Sequence, residues 1–209
     1  MVKARIKEVD EVLAWNGRFL AFKGDVLLCE DSNRAALESY EKAKYTYPDP
    51  YMFENLAIAY LRLADSTNLP LTAQTDYRME TPAQTLVREV REWRCGSHLF
   101  FEPLPREFTR GDCIGRAIRY LTLASNILPW RLTSKWYLAD VFFRLGETNK
   151  AIEYAQLVIN IPMKEYTERG VELKLKAQTM LNELGVPCDD PGLVVFDIHD
   201  RSTWNEGKW

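Results

Sequence analysis

Cysteines, histidines and paired carboxylates are the residues of this 209-residue chain that could do chemistry. Cys95-Gly-Ser-His98, with Cys113 downstream, offers three zinc-capable groups. A structural zinc site wants four ligands, and these spacings match no common finger. The stretch reads instead as a helix end at Gly96 followed by a loop. Asp197-Ile-His199-Asp200 also carries metal-capable side chains, but a short acidic tail is expected to be solvated. A Ser–His or Cys–His pair would have to use His98 or His199, and Ser97 gains no useful reach to the imidazole by being adjacent to it. No glycine-rich phosphate loop occurs. Glu38/Glu41 and Glu89/Glu92 lie on segments rich in Lys or Arg and read as solvated helix faces. The chain is therefore expected to have no catalytic residue, no metal and no cofactor.

Composition narrows the class further. A hydrophobic content of 46% with 27% charged residues is ordinary for a globular protein able to bury a core. A net charge of −3 gives no basic face for nucleic acid. No apolar run approaches the roughly 18 residues of a membrane span, and MVKARIKEVDEVLAW lacks the apolar centre of a secretory leader. The expectation is a soluble chain, with a membrane tether conceivable only through a region upstream. Nothing in the spacing of the four cysteines demands a disulfide.

The elements that would position any functional residue are amphipathic helices. Residues 133–162 read as two of them joined at Gly146, one carrying Trp136, Leu138, Ala139, Phe142 and Leu145, the other Ala151, Ile152, Ala155 and Val158. Gly24 is followed 12 residues later by Ala36, then by Tyr40, Ala43 and Pro48, and Ala139 is followed by Ala151 at the same spacing. Small residues at these points let paired helices touch, Tyr40 fills the space between pairs, and proline ends the second helix. Residues 51–65 form another first helix. Its partner, with Ala117, Leu121, Ala124 and Pro129, comes 60 residues after Ala57 rather than 12, which marks a 48-residue insertion at about 66–113.

Within that insertion, Thr81-Pro-Ala-Gln84 reads as a helix start, and Ala83, Leu86, Val87, Val90 and Trp93 make one apolar stripe. With Phe100, Phe101 and Phe108 nearby, the insertion is expected to be ordered. A first helix at 3–15 and a closing helix at about 165–184, stopped by Gly185 and Pro187, frame the array. Residues 185–209 read as an irregular tail. The predicted fold is all-α, a right-handed array of about three helix pairs plus a closing helix over residues 1–184.

The small–small–aromatic–small–proline pattern resembles the tetratricopeptide repeat. Pro129–Arg131 before the last pair and Pro162–Lys164 before the closing helix make residues 15–184 similar to the C-terminal soluble repeat domain of bacterial O-antigen ligase/polymerase-type membrane proteins. The insertion departs from that pattern, and the membrane half that would carry glycosyl transfer is not in this sequence. The resemblance implies a non-catalytic interaction domain whose first helices line a groove for a protein or peptide. Carried over by position, the groove takes Arg18, Ala21, Phe22, Asp25 and Cys29, then Tyr51, Glu54, Asn55, Ile58 and Arg62, then Thr133, Trp136, Tyr137, Asp140, Phe143 and Arg144. Asn55 and Arg62 stand where some such arrays clamp a peptide carboxylate, without the further asparagine and lysines of a full clamp. The alternative is a free-standing cytoplasmic scaffold protein that binds a peptide. Trp136 and Tyr137 could also stack on sugar rings.

Overall fold

A computed structural model describes residues 13, 15–66, 108–163 and 167–187. Among them lie seven helices and no strand, as the periodicity predicts. They are α1 (Gly17–Cys29), α2 (Asn33–Ala43), α3 (Pro50–Ser66), α4 (Arg110–Ile127), α5 (Leu132–Arg144), α6 (Thr148–Asn160) and α7 (Glu168–Glu183). The expected helices at 3–15 and 82–94, and the tail beyond Pro187, lie outside the described residues.

Local chemistry accounts for where the helices begin and end. Asp49 sits before Pro50, and its Oδ1 accepts from the amides of Tyr51 (2.8 Å) and Met52 (3.2 Å), so α3 starts on an acidic cap with proline in its first turn. Thr109 and Asp112 form a reciprocal capping box on α4. Gly146 (φ 74°) and Gly185 (φ 71°) turn the chain left-handed after α5 and α7. The amides beyond them close back on Phe142 (2.9 Å) and Leu181 (2.9 Å). The end of α1 uses the same closure, Ser32 N–H to Leu27 C=O at 2.9 Å, but places Asp31 (φ 55°) in the glycine position.

The chain divides into two compact units, Met1–Leu128 and Pro129–Trp209. In the first, α1 packs on α2, α2 on α3 and α3 on α4, and α1 also touches α3. In the second, α5 packs on α6, α6 on α7, and α5 also touches α7. The most extensive pairing is α3 with α4, which residues 67–109 separate in sequence. Small residues sit at the closest approaches: Ala36, Ala43, Ala57, Ala117, Ala124, Ala139, Ala151 and Ala155 are fully buried. A Cβ on Gly24 would come within 2.5 Å of the Tyr40 ring, so the absent side chain is what admits the tyrosine. Tyr40, Tyr60 and Phe142 are fully buried, and Phe142 stacks on Tyr154 with centroids 5.6 Å apart.

Candidate functional site

In the first unit, two hydrogen-bond sets tie α1 to α3. Asp25 Oδ1 accepts from the Tyr40 hydroxyl (2.6 Å) and from Asn55 Nδ2 (2.9 Å), joining α1, α2 and α3 at one carboxylate oxygen. Burial and the Asp25 carboxylate push the Tyr40 phenol well above its usual range, so it stays a donor. One to two turns on, Arg62 Nη1 donates to Leu28 C=O (2.8 Å) and lies 3.3 Å from Asp31 Oδ1. Asn55 and Arg62, read from sequence as clamp residues, thus both have partners within the chain. Arg62 satisfies a terminal carbonyl of α1 and offsets the negative end of its dipole. Glu54, assigned to the same face, is buried at 2% exposure. Phe22 and Tyr51 stay exposed, at 52% and 51%. Beside Arg62, Asp31, Asn33, Arg34 and Asp65 line an open hollow of about 820 Å³.

A polar cluster between α2, α3 and α4 was not anticipated from the sequence. Glu41 Oε1 accepts from the hydroxyls of Tyr60 (2.7 Å) and Tyr120 (3.1 Å), and its Oε2 pairs with Lys44 Nζ at 2.8 Å. Lys44 also donates to the Tyr120 hydroxyl (3.0 Å), and Arg116 approaches Glu41 at 4.0 Å. The tyrosine rings stack at 6.1 Å, Phe53 stacks on Tyr120, and Phe108 meets Tyr60 edge-on. Burial alone would raise the Glu41 pKa, but Lys44, the Tyr60 hydroxyl and Arg116 together hold it below the ordinary value. Burial and Glu41 push the Tyr120 phenol up to about 12. Of the acid pair read as a solvated face, Glu38 is exposed beside Arg34, whereas the Glu41 side chain is only 13% exposed. No sequence signal separates them, since each has a basic residue within one turn, Arg34 and Lys42 for Glu38 and Lys44 for Glu41.

In the second unit, α5 has two faces as its period requires. Ser134, Lys135, Leu138, Ala139, Val141 and Phe142 are buried. Trp136, Tyr137 and Asp140 are half-buried, and Phe143 and Arg144 are exposed. Arg144 pairs with Asp140 one turn before it, at 2.9 Å. The structure thus brings Trp136, Tyr137, Asp140, Phe143 and Arg144 onto one side of one helix. Asn55 and Arg62 lie on α3 in the other unit. Two buried lysines escaped sequence reading. Lys135 Nζ donates to Pro129 C=O, and Lys174 Nζ to Ile159 C=O (2.7 Å), each reaching a carbonyl just beyond or within the end of the preceding helix.

Cys113 is fully buried, and burial pushes its thiol up to about 11, which makes it a poor metal ligand or nucleophile. Cys95, His98, Asp197, His199 and Asp200 lie outside the described residues. Among the described residues no group of three His, Cys, Asp or Glu could hold a metal. No described helix is long and apolar enough to cross a membrane. Comparison of the chain with protein families, with curated proteins and with solved structures finds no match.

Proposed function

We propose that this chain is a non-catalytic interaction domain of tetratricopeptide-like repeats, which binds a protein or peptide through the first helices of its pairs. The observation that carries the reading is the exposure of Phe22, Tyr51 and Phe143 on α1, α3 and α5, each on a helix whose other side is buried. Aromatic rings beside arginine, as with Phe143 and Arg144, are the residues that interface centres favour. The order of packing within each unit, neighbour on neighbour with a further contact between alternate helices, supports a repeat array. The resemblance to O-antigen ligase/polymerase-type proteins supplies a setting, in which the chain is the soluble part of, or accessory to, a surface-glycan membrane protein.

The test is binding of the full chain to an array of overlapping synthetic peptides, with a glycan array beside it. Peptide binding should fall at least about tenfold in Phe143→Ala/Arg144→Ala or in Phe22→Ala/Tyr51→Ala, with unchanged melting, as loss of interface anchors predicts. Capture of glycans alone would replace the protein partner by a sugar, and silence on both arrays would refute the interaction reading. Apolar segments encoded directly upstream are expected if the membrane setting is right. A free-standing gene would leave the peptide-binding scaffold in its place.

A further inference from the structure

The helix α1 is apolar on two sides. Gly17, Leu20, Gly24 and Leu28 are buried against the rest of the first unit. On the opposite side Phe19, Phe22, Val26 and Cys29 recur at intervals of three, four and three residues, the spacing of a helix–helix seam. Phe19 and Val26 are half-buried, and Phe22 and Cys29 are exposed. An apolar stripe of this length on the outer side of a helix calls for a second helix to cover it.

The chain itself brings one to that place. Leu13 is helical, Trp15 and Asn16 are not, and the Asn16 amide donates to Leu13 C=O at 2.9 Å before α1 opens at Gly17. So short a connection joins antiparallel neighbouring helices. Ahead of it, Val2, Ile6, Val9 and Leu13 recur at intervals of four, three and four residues. Laid antiparallel along α1, they meet the stripe in order: Leu13 with Phe19, Val9 with Phe22, Ile6 with Val26, and Val2 with Cys29. Each of these pairs is centred on Asn16 or on the Trp15–Asn16 bond, which is where the chain turns. The described hairpins keep the same relation. Gly24 meets the Tyr40 ring across a turn centred on Ser32, and Phe142 stacks on Tyr154 about Thr148. In this register unlike charges share each flank of the seam. Lys3 and Asp10 fall beside Glu30 and Lys23, Arg5 falls beside Asp25, and Arg18 lies next to apolar Val12.

We propose that residues 2–13 dock as a helix on the outer stripe of α1 and cover Phe22 when no partner is bound, so that a partner peptide must displace them to use that ring. A segment tethered by so short a turn acts at high effective concentration, which favours it over the same segment of a second chain. The docking stands by itself, and the competition rests on the interaction-domain reading.

The experiment places a thiol on each face of the segment in the full chain. Cys29 is exposed and supplies the second thiol. Under mild oxidation Val2→Cys should form a disulfide with Cys29 of the same chain, whereas Lys7→Cys, on the outer face, should not, as read by mass spectrometry of the linked peptides. Ile6→Glu/Val9→Glu should abolish that bond in the Val2→Cys chain. The same double substitution alone should raise the affinity for an array-selected peptide at least about threefold, because the binding-competent fraction grows. Equal cross-linking from both positions, or from neither, overturns the docking and leaves the interaction reading standing. A disulfide that links two chains overturns it too and assigns the stripe to a second copy. Cross-linking with unchanged peptide affinity overturns the competition and removes Phe22 from the partner surface. Binding to no peptide refutes the interaction reading alone, since the cross-link does not depend on it.

Discussion

Glu41→Ala is the most informative perturbation of the first unit. Among the described residues the substitution removes the one carboxylate of the cluster, leaving Lys44 with the Tyr120 hydroxyl and leaving the Tyr60 hydroxyl next to Arg116 at 3.4 Å. The Glu41 and Lys44 side chains are 13% and 11% exposed, so little water can replace the lost partner. Breaking a buried ion pair from one side costs about 3–5 kcal/mol, and the residual exposure places this case near the lower end. A loss of about 3 kcal/mol corresponds to roughly 10 °C in melting temperature for a unit of this size. Thermal unfolding followed by circular dichroism reads it. Glu41→Gln keeps an acceptor for the tyrosine hydroxyls and should lose less. Its deficit also has a pH signature. The folded pKa of Glu41 is below the ordinary 4.5, so the charge stabilises fully above that value and its contribution is lost as pH falls through the folded value. The two proteins should therefore converge in acid below 4.5. A Glu41→Ala loss under about 1 kcal/mol, the worth of an exposed pair, would refute the argument that the cluster is desolvated.

Gly24→Ala would force a methyl to within 2.5 Å of the buried Tyr40 ring, and urea unfolding should show about 1–3 kcal/mol of destabilisation from overpacking. Asp31→Gly relieves a left-handed residue and removes only an exposed ion pair, so stability should hold or rise by up to about 1 kcal/mol; a clear loss would mean the Arg62 contact matters more than its exposure suggests. Burial lowers the Lys174 pKa below 10.5, so this group costs stability while protonated, and the cost is relieved as pH rises from its folded value toward 10.5. Wild type should therefore gain on Lys174→Met across that alkaline window, and a constant difference between their melting temperatures would count against it. Phe143→Ala, at an exposed position, should change stability by no more than about 0.5 kcal/mol, and a larger loss would place the ring in the core.

The periodic features were legible without coordinates. Apolar residues at helical spacing located the seven described helices, and the matching of Ala57 with Ala117, 60 residues later, marked α3 and α4 as packing partners. Gly146 and Gly185 marked helix ends because few side chains tolerate the left-handed turn they make. The two faces of α5 were equally plain, since one helix carries its own period.

What the sequence could not determine is what lies across from a polar residue. Glu38 and Glu41 look alike in a Lys- and Arg-rich segment, yet only Glu41 meets Tyr60 and Tyr120, which come from 19 and 79 residues away. Asn55 and Arg62 sit on an open-looking stripe, and only the approach of α1 supplies Asp25 and the Leu28 carbonyl to them. Lys135 and Lys174 are buried because a carbonyl from an earlier turn or helix end awaits each ammonium. Periodicity assigns a residue to a side of its own helix by local geometry. Whether that side meets water, a carboxylate or a ring depends on contacts distant in sequence, and those are decided only when the helices pack.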